Sequence, residues 1–340
     1  MDTHKPLSDT QGLIISKTTG AYGVMLEQLS LPLRSASGML RDHPNPSTPL
    51  RVAGGSATAG GGELKSCTLT SRLRPEQVVV GDRVRLAGGQ IVEVLPRRNQ
   101  LARRGVPSRP GAHTFEQVIA ANVDQVAPVF AAANPAPKWN LLDRYLAVAG
   151  ALDLPALIVL TKADLARAEE DELCAALDEY RRLGYRVAQT SAESGAGVDD
   201  LRAGLSGRVT LLLGKSGVGK TSLLNALEPG LGLRVAGVSA ATGKGRHTTT
   251  QVALFPLAGG DDGAGGVIDT PGTREFGLWD VDPDELALFF PEMRPLVGQC
   301  KFGLDCRHDE EPGCAIRQAV LGGQISPRRY QSYMRLRTEG

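Results

Sequence analysis

The chain has 340 residues, enough for two or three domains, and its hydrophobic content of 41% is ordinary for a protein with a buried core. It has no run of about 18 apolar residues and does not begin with a basic segment followed by an apolar run, so neither a membrane span nor a secretory signal is expected. The net charge of +1 is distributed as +7 over residues 1–110, −10 over residues 111–313 and +4 over residues 314–340. This distribution predicts that the basic flanks contact a polyanion. The alternative is that the charges only form solvated faces.

The first third of the chain has the pattern of a small β-barrel. Residues Gly12–Glu27 alternate apolar and polar side chains and predict strands with a turn near Gly20, whereas residues 34–62 predict an inserted loop. Further short strands are predicted at Leu64–Leu69, Val78–Leu86 and Gln90–Leu95. About five short strands in roughly 95 residues favour a closed barrel such as an OB-fold, and an SH3-like barrel is the alternative.

From residue 113, apolar strands alternate with helical stretches. Strands are predicted at Val123–Ala131, Ala156–Leu160, Arg186–Thr190, Val209–Leu213 and Val267–Ile268. Helices are predicted at Leu141–Ala151 and Glu169–Leu183. This alternation indicates a parallel sheet that is covered by helices on both faces. After about residue 275 the sequence becomes helical and rich in arginine around a group of cysteines.

A phosphate-binding loop is predicted between the strand Val209–Leu213 and a helix that begins near Thr221. The segment GKSGVGKT at residues 214–221 matches G-x-x-x-x-G-K-[ST], in which backbone N–H groups and the helix N-terminus face the phosphates. Lys220 is expected to reach the β- and γ-phosphates, and Thr221 to bind Mg²⁺. A flexible glycine-rich loop is the alternative. The predicted nucleotide contacts here are Gly214, Lys215, Ser216, Gly217, Val218, Gly219, Lys220, Thr221 and Ser222.

Two more segments are typical of a γ-phosphate sensor. In the sequence DTPG, Asp269 would hold Mg²⁺ through water and the Gly272 N–H would donate to the γ-phosphate, unless the segment is an ordinary turn. The segment GKGRHTTT at residues 243–250 lies between the phosphate motifs, where a GTPase keeps its first switch. Thr249 is predicted to bind Mg²⁺ there. His247 is predicted to position the attacking water, with contact to RNA or stabilisation of the loop as the equal alternative.

The segment TKAD at residues 161–164 has the pattern of a guanine-recognition loop, although a plain strand-to-helix turn would also explain it. Asp164 would accept hydrogen bonds from the ring N–H and the exocyclic amine of guanine, a donor pair that adenine lacks. Lys162 would lie over the base and support the phosphate loop. The dipeptide SA follows the next strand and would support the guanine carbonyl through its backbone. The predicted base contacts are Thr161, Lys162, Ala163, Asp164, Ser191 and Ala192.

The order of these motifs indicates a circular permutation. Ordinary GTPases place the phosphate loop before the guanine-recognition loop, whereas here residues 161–164 and 191–192 precede residues 214–221. The usual termini are therefore joined near Gly195–Arg208, an arrangement that preserves a domain whose ends lie close together. The segment after Gly272 consequently leads into the cysteine-rich region and couples the γ-phosphate switch to it.

Three cysteines and one histidine predict a metal site, at Cys300, Cys306, His308 and Cys314. Three sulfurs and one imidazole suit tetrahedral Zn²⁺ and leave no open coordination position, so one structural zinc ion is expected. The surrounding region is too small for a large core, so the metal would supply folding energy. Buried cysteines without a metal are the alternative. An odd total of five cysteines, three of them clustered with a histidine in a sequence with no expected export signal, favours a metal site over disulfides and the cytosol over an oxidising compartment.

Taken together, these motifs resemble those of the ribosome small-subunit-dependent GTPase A family, the RsgA/YjeQ type. The resemblance also rests on VGDRV at residues 80–84, PRRN at 96–99, ANVD at 121–124, LDRY at 142–145 and DTPGTREFG at 269–277. It implies a multidomain α/β protein with an N-terminal OB-fold β-barrel, a central circularly permuted P-loop GTPase and a C-terminal helical zinc-binding domain. The implied domain bounds are 1–110, 111–280 and 281–340.

The resemblance further implies binding to the small ribosomal subunit and its rRNA late in assembly, with hydrolysis of GTP to GDP and phosphate stimulated by that subunit. GTP or GDP, Mg²⁺ and one Zn²⁺ are the implied cofactors, and a cytoplasmic monomer that does not bind membranes is expected. The rival hypotheses are a nucleotide-gated RNA-binding module and an ATP-using nucleic-acid enzyme with a zinc finger. Asp164 argues against the second, because it selects guanine.

Four features of the sequence depart from the expected patterns. Thr161 stands where the family usually has asparagine, so one hydrogen bond toward the base is shortened or lost. Cys300 and Cys306 are farther apart than usual, with five residues between them, and the 34–62 segment is longer than typical. Thr273 stands where many GTPases carry a glutamine that orients water, so slow intrinsic turnover is predicted.

Overall fold

The computed structural model describes residues 10–26, 57–59, 62–105, 115–166, 170–233, 252–257, 265–270 and 281–339. The strands are β1 (Thr10–Thr18), β2 (Ala21–Leu26), β3 (Ala57–Ala59), β4 (Gly62–Leu69), β5 (Arg83–Ala87), β6 (Gln90–Val94), β7 (Gln100–Gly105), β8 (Phe115–Ala121), β9 (Gln125–Ala131), β10 (Leu157–Thr161), β11 (Arg186–Gln189), β12 (Val209–Leu213), β13 (Ala253–Pro256) and β14 (Gly266–Asp269). The α-helices are α1 (Trp139–Ala151), α2 (Glu170–Arg182), α3 (Val198–Leu205), α4 (Lys220–Leu227), α5 (Ala315–Leu321) and α6 (Pro327–Glu339). None of the helices in these ranges is both long and apolar enough to cross a membrane.

Five N-terminal strands close into a barrel, as the sequence predicted. The ring runs β1-β2-β4-β6-β5 and returns to β1, with β4–β6 as its parallel pair. This order and closure are those of a five-stranded OB-type barrel. The side chains that point inward form a core of their own: Ile14, Tyr22, Val24, Cys67, Val78, Val84, Leu86 and Ile91.

The sequence missed two pairings around this barrel. Part of the predicted 34–62 loop, Ala57–Ala59, forms β3 and pairs with β4. After the barrel, β7 and β8 form an antiparallel hairpin, with Gln100 opposite Ala121 and Gly105 opposite Phe115. The predicted boundary near residue 110 falls between these paired strands and outside the described residues, so the division into domains remains a proposal.

A tight turn explains why the predicted strand Val78–Leu86 is a strand only from Arg83. Gly81 has a φ of +90°, and a Cβ atom there would lie 2.1 Å from the carbonyl oxygen of Ala121. The next residue, Asp82, is fully buried, and its carboxylate accepts a hydrogen bond from the Arg97 guanidinium at 2.7 Å. The turn therefore fixes the barrel against the hairpin.

Replacement of Gly81 by alanine is expected to lower the free energy of unfolding by about 2–4 kcal/mol, because the strain of a positive φ adds to overlap with backbone. Gly88→Ala is the matched control, since Gly88 also has a positive φ of +57° but no atom lies within 4 Å of an added Cβ. Calorimetric unfolding of both variants measures the difference. Equal losses of stability would show that the contact with Ala121 is unimportant.

A second run of strands continues from the barrel in the order β13-β14-β12-β9-β10-β11. From β14 to β11 the neighbouring strands are parallel, and β13 is antiparallel to β14. Every residue of β9, β10, β12 and β14 is buried, as expected for strands covered on both faces. β13 also pairs with β1 through Ala253 and Ser16, so the barrel strands and these strands belong to one hydrogen-bonded sheet.

The C-terminal part consists of short 3₁₀ turns followed by α5 and α6, which agrees with the predicted helical character. α6 packs against α1, and the rings of Tyr333 and Phe290 meet edge to face at 5.6 Å. At the start of α6, the guanidinium of Arg329 is buried between the carboxylates of Asp143 and Glu292. The C-terminal part therefore shares a buried interface with α1, which packs against the parallel sheet.

Candidate nucleotide and metal sites

The predicted nucleotide motifs meet at one edge of the sheet. The guanine-recognition loop follows β10, the SA dipeptide follows β11, the phosphate loop follows β12, and Asp269 ends β14. These strands are parallel, so their carboxyl ends face the same side. A crevice beyond the carboxyl ends of parallel strands is the usual ligand site of such folds.

The phosphate loop has the backbone that anion binding requires. Gly217 and Gly219 have φ values of +85° and +94°, and Gly219 is the N-cap of α4. A Cβ atom on Gly214 would lie 2.6 Å from the Val129 carbonyl oxygen, so only glycine lets the loop start this close to β9. Because α4 begins at Lys220, its free N–H groups and positive dipole end lie at the loop.

Lys220 lies inside the phosphate loop. Its Nζ donates to the Gly214 carbonyl oxygen at 2.6 Å and to the Lys215 carbonyl oxygen at 3.3 Å. Burial lowers the pKa of Lys220, and the nearby carboxylate of Asp269 raises it in opposition. Asp269 is buried at 2% exposure at the end of β14. A cation and an acidic side chain thus lie together where the triphosphate and Mg²⁺ are predicted.

The guanine-recognition loop is fastened to the phosphate loop by hydrogen bonds. The Thr161 hydroxyl is buried and contacts the carbonyl oxygens of Val218 and Phe130, the second at 3.1 Å. Lys162 Nζ donates to the Gly217 carbonyl oxygen at 2.9 Å. A hydroxyl has one hydrogen to donate, and both acceptors that the Thr161 hydroxyl contacts are backbone carbonyl oxygens. The predicted shortening or loss of a hydrogen bond toward the base stays a prediction.

The remaining base-site residues surround the end of β10. Asp164 is exposed on a short 3₁₀ turn, and the Ala163 N–H donates to the Thr190 carbonyl oxygen at 3.1 Å. Ser191 is buried and its hydroxyl accepts from the Ser194 N–H at 3.1 Å, whereas Ala192 is exposed. The two loops therefore lie side by side, with the Asp164 carboxylate on the open side.

Three predicted site residues, His247, Thr249 and Gly272, lie outside the described residues. One contact near the site was missed by the sequence. The backbone carbonyl of Asn134, in the loop after β9, accepts a hydrogen bond from Lys162 Nζ. Backbone carbonyls carry no sequence signal, although the dipeptide Asn134-Pro135 does indicate a turn at this place.

The four predicted metal ligands come together. Cys300 Sγ lies 3.9 Å from Cys314 Sγ and 3.4 Å from His308 Nδ1, and the Cys314–His308 distance is 3.6 Å. With Cys306, all four ligand atoms lie within 4.8 Å of one another, and all four residues are buried. Tetrahedral zinc with Zn–S bonds of about 2.3 Å places two sulfurs about 3.8 Å apart, so this set of donors fits zinc.

Residues of α6 hold the loop of the metal cluster in place. The Tyr330 hydroxyl donates to the His308 carbonyl oxygen at 2.6 Å, and the Arg337 guanidinium donates to the Arg307 carbonyl oxygen at 2.8 Å. His308 has a φ of +61°, which this loop shape requires. No sequence pattern indicated Tyr330 or Arg337, because both side chains bond to backbone carbonyls.

Comparison with known proteins agrees with this geometry. The model of the RsgA GTPase family matches residues 94–279. A relative from Gemmatimonas aurantiaca, named small ribosomal subunit biogenesis GTPase RsgA, is 46% identical over 291 residues, covering 82% of this chain and 91% of the relative. A relative of the same name from Pseudomonas aeruginosa is 44% identical over 278 residues, covering 80% of this chain and 78% of the relative.

Solved structures give the same result. YjeQ from Thermotoga maritima superposes with a TM-score of 0.69 at 30% identity, covering 97% of this chain and 98% of that one. YloQ, described as a circularly permuted GTPase, superposes with a TM-score of 0.66 at 28% identity, covering 99% and 97%. The chain therefore belongs to the RsgA GTPase family and is a GTP hydrolase with the permuted fold.

Proposed function

We propose that this protein hydrolyses GTP on the small ribosomal subunit during late maturation, and that its nucleotide state controls binding and release. The observation that carries the nucleotide part of the proposal is the hydrogen bond from Lys162 to the Gly217 carbonyl, which joins the predicted guanine-recognition loop to the phosphate loop. The names of the relatives support the ribosomal partner. The basic charge of residues 1–110 and 314–340 supports contact with rRNA. Such a protein acts in the cytoplasm, where we propose that it is a monomer.

The chain's own residues would bind and orient GTP. Asp164 would accept from the guanine N–H groups, and Lys162 would cover the base. Lys220 would exchange its hydrogen bonds with loop carbonyls for bonds to the β- and γ-phosphates. Mg²⁺, held by Thr221 and through water by Asp269, would neutralise developing phosphate charge. The buried position of Asp269 beside Lys220 fits this role.

Three residues of the proposed mechanism belong to the switch segments. Gly272 would donate its N–H to the γ-phosphate, and Thr249 would complete the Mg²⁺ site when that phosphate is present. His247 would help to position water. Because Thr273 is too short to orient water as glutamine does, we expect slow intrinsic turnover that a partner raises. A His247→Ala protein with normal stimulated turnover would remove that residue from the mechanism.

The cysteine cluster would hold one structural zinc ion. Its four donors leave no position for a substrate, so the ion would stabilise the fold of the C-terminal part. Together with the barrel and the permuted GTPase part, this gives three proposed domains, at residues 1–110, 111–280 and 281–340.

Purified small ribosomal subunits are expected to raise the rate of phosphate release from GTP by at least about tenfold, because docking would bring groups that stabilise the transition state into place. Malachite-green or phosphate-sensor assays with small subunits, and with large subunits as the control, measure this. No stimulation, or equal stimulation by both subunits, would contradict the proposed partner but leave the GTPase assignment intact. Competition by ATP as strong as by GTP would contradict the proposed guanine site.

A further inference from the structure

The C-terminal helix α6 contacts the very start of α1. The guanidinium of Arg328 lies 5.6 Å from the ring centre of Trp139, the first residue of α1, and 5.1 Å from that of Tyr180 on α2. It also donates to the Tyr180 hydroxyl at 2.9 Å and forms an ion pair with Glu179. A planar guanidinium that both stacks and donates holds its partners in a defined arrangement.

A second arginine makes this contact rigid. Arg329 is 1% exposed, and its guanidinium pairs with Asp143 on α1 and donates to Glu292 at 2.7 Å. The Tyr180 hydroxyl donates to the same Asp143 carboxylate at 2.5 Å. Buried charges of this kind tolerate little displacement, because a lost partner leaves an uncompensated charge in the interior. α1 is thus fixed to both α6 and α2.

The start of α1 lies close in sequence to the nucleotide site. Asn134 precedes Trp139 by five residues, and its carbonyl oxygen accepts from Lys162 Nζ. The same Nζ donates to the Gly217 carbonyl oxygen of the phosphate loop. Partial burial lowers the pKa of Lys162 and the Asp164 carboxylate opposes that shift, while the two hydrogen bonds to carbonyl oxygens set the position of the ammonium group. A displacement of the Asn134 loop would therefore move Lys162.

We propose that Arg328 is a positioning residue for guanine nucleotide binding, which fixes the start of α1 and, through the Asn134 carbonyl, the position of Lys162. The proposal rests on the guanine site proposed above. Under this proposal, nucleotide affinity depends on how α6 packs against α1. The same helix also holds the loop of the metal cluster through Tyr330 and Arg337. A partner that binds the C-terminal part would thereby change nucleotide affinity without contacting the base site.

The test is a double-mutant cycle read by calorimetric titration with GDP, which gives both affinity and stoichiometry. Arg328→Ala is expected to weaken GDP binding about threefold to tenfold with unchanged stoichiometry, a size common for residues that act through others. In a Lys162→Ala background the same change is expected to add no further loss. Arg335→Ala, which removes an exposed arginine of the same helix, is the matched control and should leave the affinity unchanged.

A purely structural role for Arg328 would lower the fraction of active protein and not the affinity. An unchanged GDP affinity, or an equal loss in both backgrounds, overturns the proposal. Arg328→Lys keeps the charge but not the planar stacking, so it provides a milder variant with an intermediate loss if the alanine protein does not fold. If Lys162→Ala itself leaves GDP affinity unchanged, the guanine site is wrong and the route through Lys162 falls with it, whereas subunit stimulation of phosphate release tests the ribosomal function independently.

Discussion

Asp164→Asn is expected to shift the base preference from guanine toward xanthine. Guanine presents two neighbouring donors, the ring N–H and the exocyclic amine, and a carboxylate can accept from both. Asparagine offers one acceptor and one donor, which matches xanthine, where a carbonyl replaces the amine. Because a site built for one hydrogen-bonding pattern strongly rejects another, we expect the ratio of GDP to XDP affinity to change by about 10²–10³-fold.

Titrations of the wild-type and variant proteins with GDP and XDP measure this ratio directly. Glu193→Gln is the matched control, because Glu193 is an exposed carboxylate on the adjacent loop after β11 and should not affect either affinity. If the variant loses affinity for GDP without gaining affinity for XDP, the Asp164 carboxylate lies near the nucleotide but does not contact the base. Unchanged affinity for both would exclude Asp164 from the site.

Loss of a metal ligand is expected to unfold the C-terminal part. Cys314 is buried, its sulfur lies within the four-ligand cluster, and the same sulfur accepts from the Arg317 N–H as the N-cap of α5. Binding of a structural zinc ion contributes about 10–16 kcal/mol in small zinc domains at neutral pH, which is as large as the whole stability of a typical domain. Cys314→Ser is therefore expected to remove both the metal and the order of α5 and α6.

Metal content by mass spectrometry under native conditions and limited proteolysis of the C-terminal part are the measurements. Cys174→Ser is the matched control, since Cys174 is exposed and lies outside the cluster. One equivalent of zinc in the wild-type protein and none in Cys314→Ser is the expected result. Wild-type protein without zinc, or a variant with full zinc and unchanged protease resistance, would contradict the structural zinc site.

Much of the fold and the candidate site could be predicted because the relevant signals are local. The strand Val209–Leu213 is a run of β-prone and apolar residues bounded by a turn and a glycine, and it occurs at the predicted residues. The phosphate loop and the cysteine cluster carry their chemistry in spacing alone. Their arrangement then follows, because loops after parallel strands share one edge of the sheet.

Features that depend on distant partners could not be predicted. The strand Gln100–Gly105 has two arginines and no clear alternation, and it is a strand because β8 pairs with it. Arg329 and Asp143 are 186 residues apart, and composition gives no reason to expect either to be buried. Val78–Leu86 suggested one strand, because the positive φ of Gly81 and its close approach to Ala121, 40 residues along the chain, leave no local pattern.

The seam between β13 and β1 limits how the protein can be dissected. β13 is hydrogen-bonded to β14 on one side and to β1 on the other, through the pair Ser16 and Ala253. A fragment without the barrel would leave β13 as the outermost strand, with its free backbone groups presented to solvent, an arrangement that favours edge-to-edge aggregation. Weak binding of such a fragment to ribosomes would therefore have two causes, a missing contact surface and self-association of the fragment. Sedimentation of the fragment alone measures its self-association and so separates the two.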